Sequence, residues 1–249
     1  MPQILQYEAA KQLIDSFLGN FKKGNHKVKG LESFISALET IDFSLVHKNK
    51  DKKLLPELEV TLLALPSYDL KRSGIEGLSV NTFVKFNWFH VYNKIDLETA
   101  YTKGMFASRL LGLDGYYAHD RLSVGQMLLM PGVIYPFHTH QVEELYYCLS
   151  GKLIIQHNID GKQFVLEPGE LSITPKGTLH SLEVSGSKPV LLMYSWFGNL
   201  KAPIWIWKKI EDSSWQGANW TRLPGQSWII TEKKEVSNRD FWATHKKPS

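Results

Sequence analysis

The sequence predicts a mainly β protein in which an antiparallel barrel or sandwich follows an amino-terminal helical region. Two observations lead to this fold class. Before residue 80, apolar residues recur at three- and four-residue spacings, which is the period of an amphipathic helix. From about residue 80 onward, short runs rich in valine, threonine and aromatic residues are separated by turn signals every eight to twelve residues, as in an antiparallel barrel.

Three amphipathic helices are predicted in the first part of the chain. The stretch QYEAAKQLIDSFLGNF places Leu13 and Phe17 at helical spacing, and GLESFISALETI repeats the pattern. The stretch LPELEVTLLALPS is predicted as a third helix bracketed by Pro56 and Pro66. The lysine-rich stretch HKNKDKK between the second and third helices is predicted as a solvated loop.

The boundary between the helical region and the barrel is expected near residue 80. No Pro/Gly/Ser-rich linker separates the two parts, so the helices are not expected to form an independent domain. We predict that residues 1–80 form a helical cap or a dimerisation surface, with a homodimer as the candidate assembly. Residues 81–249 are predicted to form the barrel together with a tryptophan-rich C-terminal segment.

Six apolar runs are predicted to form strands of the barrel: LSVGQMLLM, LYYCLSG, KLIIQHNI, QFVLEPG, ELSITP and VLLMYSWF. The stretch NIDGKQ predicts a hairpin with Asp160 and Gly161 at its tip, because both positions tolerate positive φ. Seven of the eight tryptophans lie between Trp196 and Trp242. Their concentration predicts an irregular segment that covers the barrel surface.

Composition and charge narrow the range of functions. The chain is 43% hydrophobic and 22% charged, as is usual for a globular protein. Its net charge of +4 comes from lysines that are spread out or gathered at chain segments such as 48–53, so no nucleic-acid partner is expected. A signal peptide and a long apolar run are both absent from the sequence, which predicts a cytoplasmic location without a membrane partner. The single cysteine, Cys148, excludes an internal disulfide.

Two stretches carry the candidate functional residues. PGVIYPFHTHQVEELYYCLSG contains His138 and His140, with Glu144 after three further residues, and PGELSITPKGTLHS supplies His180 after a tight turn. Side chains at i and i+2 of a strand share a face, so His138 and His140 point the same way, as do Glu144 and Tyr146. This pattern predicts that imidazole and carboxylate groups meet in the barrel interior.

The pattern has two explanations. The first is a set of core histidines with satisfied hydrogen bonds beside a buried, paired carboxylate. An unpaired Glu144 among apolar strands would cost several kcal/mol, and three such polar groups are hard to sustain there without an ion. The second explanation, which these costs favour, is one divalent transition metal with open positions for water or substrate. The ligand types are compatible with Fe, Zn and Mn.

Both stretches match the two sequence motifs of the cupin family, from Gly132 to His180 and beyond. The first motif is complete, and in the second Val184 stands where the family commonly has asparagine. The resemblance implies a double-stranded β-helix, or jelly-roll barrel. Cupins include dioxygenases, isomerases, lyases and ligand-sensing modules, so the fold alone does not decide the function.

The residues around the ligands carry a narrower resemblance. YPFHTHQVEELYYCLSG, PKGTLH and LLMYSWFGNL, preceded by LSVGQMLLMPG and by a helical region, resemble the dimethylsulfoniopropionate (DMSP) lyases of the cupin superfamily. The resemblance is best from about residue 105 to 200. It implies a small-molecule substrate and a β-elimination that converts DMSP to acrylate and dimethyl sulfide.

The resemblance also implies roles for individual residues. It makes His140, Glu144 and His180 metal ligands, Tyr146 the catalytic base and Tyr135 a second catalytic tyrosine that lines the pocket. His138 stays open, as a ligand or as a pocket residue. Tyr146 is also open to a structural explanation, in which a packed strand tyrosine donates its hydroxyl to Glu144.

The permanent positive charge of the substrate's sulfonium suggests aromatic partners. A cation over an aromatic face gains about 0.5 to 2 kcal/mol. The candidates for this contact are Tyr135, Phe137, Trp88 and Trp196.

Two other functions fit the same site. One is a different metal-dependent cupin enzyme, such as a dioxygenase or an isomerase. The other is a non-catalytic cupin that binds a small carboxylate.

Overall fold

The computed structural model describes residues 3–24, 26–47, 56–75, 78–92, 100–222 and 227–245. The predicted lysine-rich loop lies, from residue 48 onward, outside the described residues. The helices are α1 (Gln3–Lys23), α2 (Leu31–Glu39), α3 (Pro56–Leu63), α4 (Ser67–Arg72), α5 (Val80–Phe83), α6 (Ala100–Gly104) and α7 (Asn238–Thr244). The predicted helices over QYEAAKQLIDSFLGNF, GLESFISALETI and LPELEVTLLALPS correspond to α1, α2 and α3.

The strands of the described chain form two sheets. They are β1 (Trp88–His90), β2 (Met105–Gly112), β3 (Tyr117–Ala118), β4 (Leu122–Leu129), β5 (Ile134–His140), β6 (Val142–Ser150), β7 (Leu153–His157), β8 (Gln163–Leu166), β9 (Leu171–Thr174), β10 (His180–Val184), β11 (Val190–Gly198), β12 (Ile204–Glu211), β13 (Ser214–Thr221) and β14 (Ile229–Ser237). The first sheet has the order β1-β2-β4-β11-β6-β9, with β3 beside β2. The second has the order β14-β13-β12-β5-β10-β7-β8. Within this described part, the paired strands are antiparallel except for β2 and β3.

The first sheet has apolar contacts on both faces. One face packs against the helices through residues such as Phe17, Phe34 and Leu110, and the other face borders the barrel interior. For this reason every residue of β4 is buried, and its sequence, LSVGQMLL, shows no regular alternation of polar and apolar residues. The barrel interior thus lies between the two sheets, with the helical region outside the first.

Polar contacts also join the helical region to β6. The carboxylate of Asp69 on α4 accepts hydrogen bonds from Ser150 Oγ at 3.0 Å and from the backbone N–H of Gly151 at 3.1 Å. The hydroxyl of Tyr147 donates to the backbone carbonyl of Ser73. The helices are therefore attached to the same strand that carries Glu144.

The prediction of an irregular C-terminal segment is wrong. The tryptophan-rich stretch forms β12, β13 and β14, because β12 pairs with β5 and extends the second sheet. Strand alternation then divides the tryptophans between the two faces. Trp220 and Trp228 join the interior core, while Trp207 and Trp215 pack with Phe241 of α7 on the outside.

The predicted hairpin is present between β7 and β8, but its turn differs from the prediction. The last paired residues are Gln156 and Gln163, so the connection is longer than a two-residue turn. The positive φ lies at Asn158, with a value of 63°. Gly161 instead donates its N–H to the carbonyl of Asn158 at 3.1 Å, which closes the turn.

Candidate metal centre

Three strands bring the four candidate ligands together. His138 and His140 lie on β5, Glu144 lies on β6, and His180 on β10 pairs directly with His138. One nitrogen or oxygen atom from each side chain lies within 4.8 Å of all the others, and all four residues are buried. The adjacent Glu143 does not join this cluster, as expected for a residue one position out of phase.

The turn PKG positions His180. Gly177 has a left-handed φ of 76°, which glycine adopts without strain. Its N–H donates to the backbone carbonyl of His140 at 2.9 Å. This contact ties the loop that precedes β10 to the strand that carries the first two histidines.

Each clustered histidine makes a backbone hydrogen bond through the same ring nitrogen. The Nδ1 atoms of His138, His140 and His180 lie 2.8, 3.0 and 2.9 Å from backbone carbonyl oxygens. Only a protonated nitrogen can donate to a carbonyl, so Nδ1 carries the proton and Nε2 is the nitrogen left for other contacts. A backbone acceptor on one ring nitrogen is the usual support of a metal-binding histidine.

The charges of the cluster fit a cation. The Nε2 atoms of His140 and His180 lie 3.2 and 3.1 Å from Glu144 Oε2. Burial opposes ionisation of Glu144, but contacts with the two histidines outweigh it and hold the pKa of its carboxyl well below its usual range. Burial, together with His180 and His140, lowers the pKa of His138 well below its usual value, so this ring is neutral. A carboxylate and converging imidazole nitrogens are the donor set of a divalent transition metal.

Trp196 and Tyr146 surround the carboxylate of Glu144. Trp196 pairs with Glu144 across β11 and β6, and its indole N–H donates to Glu144 Oε1. Oε1 is therefore engaged, and Oε2 faces the histidines. Burial, followed by the charge of Glu144 and a hydrogen bond to it, raises the pKa of Tyr146 well above its usual value.

A β-bulge in β5 decides which side chains enter the interior. His180 pairs with His138, but Leu182 pairs with Tyr135, so one extra residue is accommodated around Pro136. Proline is tolerated at a bulge because it has no N–H to donate. Tyr135 and His138 consequently share the interior face and stack with ring centroids 3.9 Å apart.

Phe137 does not line the interior, so its predicted role as a sulfonium contact is wrong. Its ring packs with Leu179, Trp207 and Trp215 in the outer cluster. The physical reason is the same bulge, which puts Phe137 on the outer face next to the inward His138. Tyr135 keeps its predicted place in the pocket.

The prediction for Trp88 is also wrong. Trp88 points into the core between the first sheet and the helices, where its indole N–H donates to the carbonyl of Phe83 at 2.9 Å. Strand alternation turns its neighbour Phe89 toward the cavity instead.

A cavity opens beside the four candidate ligands and has an aromatic wall. His138 and Glu144 contribute to its lining. Its aromatic lining consists of Phe89, Tyr92, Tyr135, Tyr146, Tyr194, Trp196 and Trp228. The predicted residues Tyr135, Tyr146 and Trp196 thus meet in one cavity with the candidate ligands.

Several cavity residues were missed from the sequence. The hydroxyl groups of Tyr92 and Tyr135 share a hydrogen bond, and the backbone of Tyr92 forms an isolated β-bridge with that of Trp228. Burial is the first cause of the raised pKa values of both tyrosines. Arg109 and Arg222 also line the cavity. For Arg109 a signal existed, because it is the one charged residue in the apolar run MFASRLLG.

Comparison with known proteins supports the fold. Residues 125–197 match the family described as Cupin domain. The crystal structure of the DMSP lyase DddQ from Ruegeria pomeroyi aligns with a TM-score of 0.59 and 19% identity, covering 79% of this chain and 95% of that one. A structure described as that of the DMSP lyases RdDddP and RnDddQII aligns with a TM-score of 0.58 and 19% identity. The alignment covers 78% of this chain and 95% of that one. The predicted cupin fold with an amino-terminal helical region is confirmed.

Sequence comparison finds two relatives. DddL of Cereibacter sphaeroides, provisionally named as a dimethylsulfoniopropionate lyase, is 26% identical over 133 residues, which are 52% of this chain and 54% of DddL. The dimethylsulfoniopropionate lyase DddQ of Ruegeria pomeroyi is 29% identical over 104 residues, which are 38% of this chain and 47% of DddQ. The predicted resemblance to the DMSP lyases is confirmed, and the chain spans about half the length of these relatives. Among the described helices, none is both long enough and apolar enough to cross a membrane.

Proposed function

We propose that this chain is a metal-dependent carbon–sulfur lyase that cleaves dimethylsulfoniopropionate by β-elimination to acrylate and dimethyl sulfide. The observation that carries the proposal is the cluster of His138, His140, Glu144 and His180, which opens into an aromatic cavity with Tyr146 beside it. The similarity to proteins named as DMSP lyases supports the same reaction.

In this proposal His140, Glu144 and His180 hold one divalent transition metal, Fe, Zn or Mn. His138 is a fourth ligand, since its Nε2 is free of the backbone contact made by Nδ1. A bound metal would neutralise the substrate carboxylate, which makes the adjacent proton removable, and would favour the phenolate form of Tyr146.

Tyr146 is proposed as the base. Its side chain lines the cavity and contacts Glu144, so the phenolic oxygen lies beside the ligand cluster. The proton removed from the carbon next to the carboxylate passes to this oxygen, and the electron pair left behind forms the double bond of acrylate as the carbon–sulfur bond breaks. Tyr135 is proposed to line the pocket and to position His138 by stacking against it.

The sulfonium group is proposed to lie against aromatic rings. Of the four rings predicted for this role, Tyr135 and Trp196 line the cavity. Tyr92 also lines the cavity and is proposed as a third ring for this contact. Each ring face is expected to contribute about 0.5 to 2 kcal/mol to binding of the cation.

A gas-phase assay tests the proposed reaction. Purified protein loaded in turn with Fe, Zn or Mn is incubated with DMSP, and dimethyl sulfide in the headspace and acrylate in solution are measured. Equal amounts of both products are expected. Oxygen consumption by the iron-loaded protein without release of dimethyl sulfide would favour a dioxygenase instead.

The arrangement of the whole chain is part of the proposal. The helical region of residues 1–80 is proposed as a cap on the outer face of the first sheet, where its apolar contacts lie. A homodimer and a cytoplasmic location stay predictions of the sequence.

A further inference from the structure

Two arginines and one aspartate are gathered at one part of the cavity. Arg109 lies on β2, Asp114 follows β2, and Arg222 follows β13. Arg109 Nη1 forms an ion pair with Asp114 Oδ1, and Arg222 Nη1 lies 3.5 Å from Asp114 Oδ2. The side chains are only 9%, 8% and 14% exposed for Arg109, Arg222 and Asp114. Two guanidinium groups therefore share one carboxylate in a buried place, and one positive charge is not neutralised within the trio.

Arg222 is the arginine with unused donor capacity. Its contact with Asp114 lacks hydrogen-bond geometry, and Nη1 is buried without a hydrogen-bond partner in the described part of the chain. Burial and the neighbouring Arg109 lower the pKa of Arg222 to about 10, which leaves it charged at neutral pH. A buried guanidinium donor without an acceptor is costly, and an anionic ligand would relieve that cost.

The two guanidinium groups face the cavity. Both arginines line it, and their Cζ atoms lie over cavity rings. Arg109 Cζ is 5.3 Å from the centroid of Phe89, and Arg222 Cζ is 5.4 Å from that of Trp228. Asp114 is not part of the lining and therefore supports the pair from behind. The cavity thus presents fixed hydrogen-bond donors between apolar walls. This arrangement suits a carboxylate, because its two oxygen atoms match the planar fork of donors on a guanidinium group.

Tyr194 lies between Arg109 and Tyr146 in the first sheet. Arg109, Gly125, Tyr194 and Tyr146 occupy one row across four neighbouring strands. Strands lie about 4.8 Å apart, so the Cα atoms at the two ends of this row are roughly 14 Å apart. The ring of Tyr194 lies over Gly125, where an added Cβ would come within 2.7 Å of the hydroxyl, and that hydroxyl accepts a hydrogen bond from Arg109 Nε at 3.3 Å.

We propose that Arg109 and Arg222 form a second, carboxylate-binding subsite in the cavity, distinct from the metal centre. Arg222 supplies the principal donors, and Arg109 is held in place by Asp114 and Tyr194. The ligands are small carboxylic acids, which include the substrate and the product of the reaction proposed above. The excess positive charge attracts the carboxylate end of a zwitterion and repels a sulfonium. Binding at this subsite does not depend on which reaction occurs at the metal.

The test measures binding of propionate, an inert three-carbon carboxylate, to the full-length protein as purified, by calorimetry. Arg222→Met is expected to weaken propionate binding by about 10-fold or more, the ratio expected when a charge-assisted hydrogen bond is lost. Arg222→Lys keeps the charge but not the fork and is expected to give an intermediate loss. Arg121→Gln is the matched control, since it removes the same charge from an exposed arginine that packs on Phe197, and it should bind propionate as wild type does.

The outcomes separate this proposal from the lyase reaction. Propionate binding that is insensitive to both Arg222 variants would overturn the subsite, because a carboxylate bound only at the metal does not need Arg222. Wild-type affinity for propionamide equal to that for propionate would overturn it as well, even if a variant fails to fold. A protein that binds propionate through Arg222 but releases no dimethyl sulfide would support the subsite and refute the proposed reaction.

Discussion

Replacing Tyr146 with phenylalanine tests the catalytic assignment most directly. The substitution keeps the ring in its buried place on β6 and removes only the phenolic oxygen. Glu144 loses one contact but retains those to His140, His180 and Trp196. The fold and the metal content are therefore expected to persist, and only proton removal should be affected.

The size of the effect follows from the role. General-base catalysis contributes roughly 10²- to 10⁴-fold to a rate, so Tyr146→Phe is expected to lower the turnover number for DMSP by at least the lower figure. The binding of propionate should change little, because the subsite proposed for it lies several strands away. Headspace measurement of dimethyl sulfide under substrate saturation gives the turnover number.

Tyr147→Phe provides the matched control. Tyr147 is the next residue on the same strand and is equally buried, but it faces the helices and donates to the carbonyl of Ser73. Its substitution removes one of two hydrogen bonds to this carbonyl, which also accepts from Asn20 Nδ2 at 3.5 Å, and is expected to cost about 0.5 to 1.5 kcal/mol of stability without affecting turnover. Wild-type turnover in Tyr146→Phe would refute the reasoning, and the base would then have to be another group in the cavity.

Three further predictions concern the metal and the helices. Wild-type protein should contain one divalent transition metal per chain by elemental analysis, and His180→Ala should contain much less; equal contents would contradict the ligand assignment. Trp196→Phe removes the hydrogen bond that orients Glu144 and should weaken metal affinity about 10- to 100-fold in a chelator competition, whereas the same substitution at Trp88, in the helical core, should not. A fragment of residues 80–249 should not be stable, because loss of the helices exposes the apolar outer face of the first sheet; limited proteolysis that yields a folded, active fragment starting near residue 80 would disprove the cap.

Much of the fold and of the ligand cluster could be predicted from the sequence because both depend on local periodicity. The helical spacing of Leu13 and Phe17 needs no partner to be recognised, and both residues are buried as expected. The i and i+2 positions of His138 and His140, and of Glu144 and Tyr146, follow from the period of a strand. The turn before His180 is likewise encoded by a short stretch with glycine at its tight position.

The wrong predictions arose where the partner strand decides which face a side chain takes. A bulge around Pro136 puts Tyr135 and His138 on the same face and turns Phe137 outward. The side chains of Trp88 and Phe89 point to opposite sides of their strand, as those of any two adjacent strand residues do. The position of the helices determines which of these two side chains enters the core outside the barrel. Neither orientation can be read from a single strand. The alternation of side chains along a strand is a local property, but the register of a strand depends on its pairing with residues far away in the chain.

The sequence by itself determined the type of fold and which residues meet as candidate ligands, because the residues concerned lie close together in the chain or repeat with a strand or helix period. Only the tertiary structure decided the shape and charge of the cavity. Arg109 and Arg222 are more than a hundred residues apart, and they share Asp114 only because β2 and the end of β13 border the same cavity. Contacts over such separations depend on the pairing of all the strands between them, and no local pattern records them.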